Sequence, residues 1–135
     1  MARIVYLDTS AVLRAVLESG TTPDIDAALG SAQVLVTSRL SLVESARALL
    51  RLRIDGMATE SQIASAAREI DSIWARCAIW ELTRSICELA AQAAPTLRVR
   101  ALDAIHLATY LNARRRLGEI DLLTTDRRLA EAAGL

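Results

Sequence analysis

Short apolar runs rich in β-branched residues alternate along this chain with longer stretches of helical periodicity, and no other feature restricts its fold as tightly. Residues 3–7 (R-I-V-Y-L), 33–37 (Q-V-L-V-T) and 120–124 (I-D-L-L-T) read as strands, with a further short one over 79–82. Helices are predicted over 10–19, 23–30, 42–55, 59–77, 84–94, 102–116 and 127–133. Thr59 and Gln62 have capping-box spacing, and the five glycines (Gly20, Gly30, Gly56, Gly118 and Gly134) are expected as left-handed helix stops. Strands joined through helices, with continuous apolar runs, predict an α/β fold with a parallel sheet covered on both faces.

The length, 135 residues, fits one domain over 1–135 with no linker, repeat or phosphate-cradling glycine loop. Apolar residues make up 53% of the chain, enough to build a core, and the 16 acids balance 16 bases, so bulk charge points to no polyanionic partner. All the bases are Arg. Without Lys there is no Walker-type phosphate loop, Schiff base or pyridoxal phosphate anchor. His106 is the single histidine, which rules out a histidine pair within one chain, and Cys77 and Cys87 are too few for a cysteine zinc site. No G-x-S-x-G elbow is present. Carboxylates, hydroxyls and arginines are left to carry any chemistry. Charges at Arg3 and Asp8 break up the N-terminal segment, no apolar run approaches a membrane span, and two thiols suit a reducing compartment; a cytoplasmic protein is expected.

Ligands of parallel sheets collect outside the carboxyl ends of the strands, and two predicted strands end there in an acid: Asp8 after R-I-V-Y-L and Asp126 after L-L-T-T. Glu44 and Asp103 lie on helices. Each has an ordinary alternative. Asp8 and Asp126 suit helix N-caps, Ser41 and Glu44 have capping-box spacing, and Asp103 sits in a first turn, where the helix dipole favours an acid. Asp103, however, is embedded in D-A-I-H-L-A, and a carboxylate on a buried face needs a partner or a metal. Carboxylates gathered together repel one another, and a hard divalent cation reverses that balance.

The order Y-L-D-T-S-A at Asp8, T-S-R-L-S-L-V-E-S-A-R at Glu44, L-D-A-I-H-L-A-T at Asp103 and L-L-T-T-D-R-R-L-A at Asp126 resembles the PIN-domain family, and within it the VapC-type ribonuclease toxins. The resemblance spans residues 4–133; many members continue past the equivalent of Gly134 and Leu135 into one more short strand. It implies a three-layer α/β/α fold and a Mg²⁺- or Mn²⁺-dependent endoribonuclease with Asp8, Glu44 and Asp103 as metal-binding, catalytic carboxylates. Asp126 matches the more variable fourth acid, preferred to Asp121 because it follows the strand instead of lying within it. The resemblance also implies a homodimer silenced by a cognate VapB-type antitoxin lying in an apolar groove, with the helices over 42–54 and from Thr59 as its walls.

Hydrolysis by water would leave a 5′-phosphate and a 3′-hydroxyl, in keeping with the lack of a histidine pair. Thr9, Ser10 and Thr124 suit either carboxylate support or helix capping. His106, three residues from Asp103, reads as a core histidine with its N–H satisfied. Arg39 and Arg127 lie near the acids in sequence and are the first candidates for RNA or antitoxin contact; Arg98, Arg100 and Arg128 also flank them, Arg114, Arg115 and Arg116 read as a solvated helix end, and Trp74 and Trp80 as core. Two rival classes remain. A haloacid-dehalogenase-type phosphatase would want D-x-D after its first strand and a Lys, whereas Asp8 is followed by Thr9 and Ser10 and Lys is absent, and a catalytically silent PIN-like binding module would bind no metal.

Overall fold

The β-branched runs pair with one another as their composition predicts. The computed structural model describes residues 3–135, so the first two residues of the expected 1–135 domain lie outside the described span. Four strands, β1 (Ile4–Leu7), β2 (Val34–Ser38), β3 (Cys77–Trp80) and β4 (Asp121–Leu123), form one sheet in the spatial order β3-β2-β1-β4. Every pairing is parallel, with Val5 opposite Leu35 on one side and Asp121 on the other.

Side chains alternate across a strand, and β1 uses both directions. Val5 and Leu7 pack with Val12 of α1 (Thr9–Leu17), Leu29 of α2 (Pro23–Ser31), Leu49 of α3 (Arg39–Ile54) and Ile63 and Trp74 of α4 (Glu60–Ala75). Tyr6 faces the opposite way, onto Leu107 and Tyr110 of α6 (Ala101–Leu117) and Leu129 of α7 (Arg127–Ala132). Behind α6, α5 (Arg84–Gln92) buries Ile86 and Ala90 against Ala104 and Ala108. The result is the three-layer α/β/α arrangement. Each fully buried Leu, Ile or Val on these faces contributes roughly 1.5–3 kcal/mol relative to exposure. Among the described residues, no helix is long and apolar enough to cross a membrane.

Several boundaries differ from the sequence expectation. Helix α3 starts at Arg39, three residues before the predicted start, because the Ser38 hydroxyl accepts the Leu40 N–H at 3.1 Å. Ser41 is therefore inside the helix, buried with its hydroxyl 2.7 Å from that of Thr37, and the Ser41–Glu44 capping box does not form. Strand β3 lies two residues earlier than 79–82. Helix α4 stops at Ala75, Arg76 anchors that end to the Leu29 carbonyl at 2.9 Å, and the ladder to β2 starts at once with Cys77. Gly30 is not a left-handed stop but an interior residue of α2, whereas Gly56 has φ +65° just past α3 and takes that role. The capping box at Thr59 and Gln62 is complete, with bonds of 3.1 and 2.9 Å.

The chain runs outward from β1 through β2 to β3, then crosses back to add β4 on the free side of β1. The crevice between β1 and β4 is thus a topological switch point, where open parallel sheets place their ligand sites at the carboxyl edge.

The two thiols differ in environment. Burial pushes the Cys77 thiol up to about 11, partly offset by Arg76, and its Sγ donates to the Ile73 carbonyl at 3.4 Å; Cys87 is exposed on α5. Since the thiolate is the reactive form, a thiol reagent at neutral pH should label Cys87 quickly in the folded protein and Cys77 only on unfolding. Mass spectrometry of the labelled chain checks this, and equally fast labelling of both residues would contradict the burial.

Candidate active site at the carboxyl edge of the sheet

Asp8 is the first residue beyond β1, 5% exposed, and its own N–H continues the β1–β4 pairing by donating to the Leu123 carbonyl at 3.0 Å. It occupies the N-cap position of α1 without capping it through its side chain. Its Oδ2 instead accepts hydrogen bonds from Ser10 at 2.5 Å and Thr124 at 2.7 Å. Those hydroxyls are themselves held by backbone, Ser10 accepting from the Thr125 N–H and Thr124 from the Asp126 N–H, each at 3.0 Å. A hydroxyl has one proton to give. Ser10 and Thr124, 3.2 Å apart, both direct theirs at Asp8, and this decides the open sequence alternatives in favour of carboxylate support.

Glu44, on the second turn of α3, faces the same edge. Its Oε1 accepts from the Thr9 hydroxyl at 2.7 Å and from His106 Nε2 at 2.6 Å, while Oε2 has no protein donor among the described residues. Burial pushes this carboxyl up, but the bond and charge of His106, the Thr9 hydroxyl and Arg51 outweigh it, and the net shift is downward. Glu44 is held ionised.

His106 is the core residue its apolar helix predicts, 1% exposed, and it also belongs to the acid cluster through Glu44. Asp103 and His106 are three apart on α6 and share a face, so the helix that carries one acid carries the imidazole too. Nε2 lies 3.5 Å from Asp8 Oδ1, and Nδ1 lies 2.9 Å from the hydroxyl of the buried Tyr6. In the sequence Tyr6 reads only as a residue of the first strand, with no functional motif of its own. Its place two residues before Asp8, on the same side of β1, is the signal that was available.

Asp103 sits in the first turn of α6 with its side chain 17% exposed and Arg100 at 3.5 Å. Burial raises its pKa, the negative charges of Asp126 and Asp8 raise it further, and Arg100 only partly offsets them. Asp126 uses Oδ1 to cap α7 through the Arg128 and Leu129 N–H groups, at 2.9 and 3.3 Å. Here the ordinary capping role and membership of the acid cluster coexist. Asp121 stands apart, at the start of β4, exposed and paired with Arg3 at 3.1 Å. Among the described residues, no three His, Cys, Asp or Glu side chains converge closely enough to hold an ion in this arrangement. The donor chemistry nevertheless fits a hard cation: mutually repelling carboxylates, with Asp8 Oδ1 and Glu44 Oε2 carrying no short hydrogen bond.

The other candidates are placed less centrally. Arg39 makes a two-bond pair with Glu81 at 2.8 and 2.5 Å, whereas Arg127 and Arg128 are exposed at the start of α7 beside Asp126. Trp74 is core, its indole N–H donating to Ser45 at 3.0 Å, and Trp80 is half-buried under the Arg116 guanidinium.

The family model for the PIN domain matches residues 5–135. The chain is 33% identical over 137 aligned positions to Ribonuclease VapC45 and to Ribonuclease VapC49, each from a strain of Mycobacterium tuberculosis, covering 97% of this chain and 92% of each relative. The crystal structure of PAE2754 from Pyrobaculum aerophilum shares the fold with a TM-score of 0.65 at 18% identity, over 97% of this chain and 79% of that one.

Asp126→Asn separates that residue's two roles, since Asn caps helices as well as Asp but carries no charge. A carboxyl whose folded pKa exceeds its unfolded value reduces stability once ionised, a cost absent below the ordinary 3.8 and growing as pH rises through the raised folded value. In Asp126→Asn, the Asp103 pKa should fall toward the ordinary value, as followed by carboxyl carbon NMR. Asp126→Ala should show the same fall and also lose about 1 kcal/mol of stability with the cap. An unchanged Asp103 titration in both variants would mean that the two acids do not interact.

Proposed function

The chain belongs to the PIN-domain family, among its VapC-type members, and on that premise we propose that it is an endoribonuclease toxin that hydrolyses RNA phosphodiester bonds with Mg²⁺ or Mn²⁺ and is silenced by a cognate antitoxin. The observation that carries the reading is the crowding of carboxylates at one sheet edge: Asp8 and Glu44 lie 3.5 and 2.6 Å from the same His106 nitrogen, and the charges of Asp126 and Asp8 add to burial in raising the Asp103 pKa. Such a cluster is poised for a cation that removes the repulsion.

Asp8, Glu44, Asp103 and Asp126 are the residues that would hold it. A bound divalent cation supplies a lowered pKa for coordinated water and offsets charge on the phosphodiester. The chain's contribution is orientation. Ser10 and Thr124 hold Asp8 by Oδ2 and leave Oδ1 without a short hydrogen bond; Thr9 and His106 hold Glu44 by Oε1 and leave Oε2. Asp126 keeps one oxygen on its helix cap, and Asp103 is steered by Arg100. Arg127 and Arg128, beside the acids, suit the phosphates flanking the cut through charge-assisted hydrogen bonds. With no second imidazole for an acid–base pair, water in place of the ribose 2′-hydroxyl is the nucleophile, and the products carry a 5′-phosphate and a 3′-hydroxyl.

An open apolar cavity of about 400 Å³ between α1, α3 and α4, lined by Val16, Leu17, Leu52 and Met57 among others, supports antitoxin docking along the helices named from the sequence. The same reading makes the working form a cytoplasmic homodimer.

Purified antitoxin-free protein, incubated with an end-labelled RNA pool, should make internal cuts with Mg²⁺ or Mn²⁺ and none with chelator. Asp8→Asn and Asp103→Asn should reduce cutting to background while remaining folded. Cleavage that persists in chelator or in both variants would overturn this site, and a folded chain that neither cuts nor binds Mn²⁺ would be a silent binding module.

A further inference from the structure

We propose that Tyr6 and His106 form a positioning pair that holds Glu44 with one oxygen tied and the other presented to the cation, so that this buried pair sets how tightly the acid cluster binds metal. The role rests on the cation-dependent reading given above.

Three features of the geometry carry it. The imidazole is pinned at both ends, Nδ1 at 2.9 Å from the Tyr6 hydroxyl and Nε2 at 2.6 Å from Glu44 Oε1. An ionised carboxylate can only accept, so Nε2 must bear the hydrogen, and the ring orientation is fixed by what Nδ1 meets. Tyr6 in turn cannot drift: it is fully buried, and its ring meets those of His106 and Tyr110 edge-on at centroid distances of 6.1 and 6.0 Å. Finally, among the described residues the only other donor to Glu44 Oε1 is the Thr9 hydroxyl. One hydrogen bond leaves a carboxylate free to pivot about it, whereas two from different directions fix its plane. Without the imidazole, Glu44 would keep the Thr9 bond and lose its orientation.

His106 is thus a positioning residue and not a catalytic one, since on this geometry its short bond is to Glu44 Oε1 at 2.6 Å, with Asp8 Oδ1 farther off at 3.5 Å. A histidine serving only the core would also need both nitrogens matched; what marks this one is that Nε2 meets a carboxylate of the acid cluster, at 2.6 Å. Removing the tyrosine hydroxyl separates these roles, because Tyr6→Phe keeps the ring and its edge contacts.

The test is calorimetric titration of the full chain with Mn²⁺, alongside thermal unfolding of each variant. His106→Leu should weaken Mn²⁺ binding by about 10- to 100-fold, the range for losing a group that orients a metal ligand. Tyr6→Phe should weaken it in the same direction by less, and His106→Gln, which keeps an N–H for Glu44, should recover part of the loss. In a Glu44→Gln background, His106→Leu should add nothing, because the pair acts through that carboxylate. Folded His106→Leu binding Mn²⁺ as the parent does, or a loss that multiplies with that of Glu44→Gln, would overturn the proposal. Should His106→Leu fail to fold, Tyr6→Phe and His106→Gln decide it by the same measurement: parent-like binding in both is against it, graded weakening in favour. A parent chain that binds no Mn²⁺ would refute the cation-dependent function itself, and the pair's role with it.

Discussion

The pairing of β1 with β4 is the contact on which the acid-lined edge depends. It joins the first strand of the chain to the last, and it continues one step past the sheet, where the Asp8 N–H meets the Leu123 carbonyl. Because both strands run the same way, they end together, and each hands the chain to a helix at the same place. Asp8 and Ser10 leave β1 there, and Thr124 and Asp126 leave β4. The hydroxyls that grip Asp8 thus come from opposite ends of the sequence, and only parallel register brings them to the same carboxylate oxygen.

The opposite face supplies the remaining groups through a second coincidence of periods. Along β1, positions 6 and 8 share a side; along α6, positions 103 and 106 share a face. Where the helix crosses the strand, the His106 imidazole meets the Tyr6 hydroxyl at 2.9 Å and lies 3.5 Å from Asp8 Oδ1. Groups on packed elements move less than groups on loops, and the buried polar members here are fully matched: among the described residues, no buried side-chain oxygen or nitrogen lacks a partner. A buried polar network is stabilising only when it is complete.

Much of this was legible in the sequence. The element order, the parallel sheet and the position of Asp8 follow from β-branched runs and helical periodicity, and D-A-I-H-L-A announced a helix with an acid on a buried face. The ordinary readings of the acids fared unevenly. Asp126 does cap its helix, as any Asp there would be expected to, but Ser41 and Glu44 do not form a box, because the Ser38 hydroxyl starts α3 a turn earlier. Capping spacing is a local pattern, and it cannot reveal that a preceding residue already satisfies the same donors. His106 and Tyr6 lay beyond reach for a different reason. They are 100 residues apart in the chain, and their bond exists only because α6 folds back across β1.

The least extensive part of the sheet is also the part nearest the acids. Strand β4 has three residues and α7 has six, so the segment from Asp121 onward is held by a short ladder and by Leu129 in the core. Small units of this kind open more readily than long central strands. Any opening would take Thr124 away from Asp8 and the Asp126 charge away from Asp103 in a single motion. Charge distribution at the edge and attachment of the C-terminal segment are therefore two readouts of one cooperative unit, so that what loosens the tail also disarms the cluster.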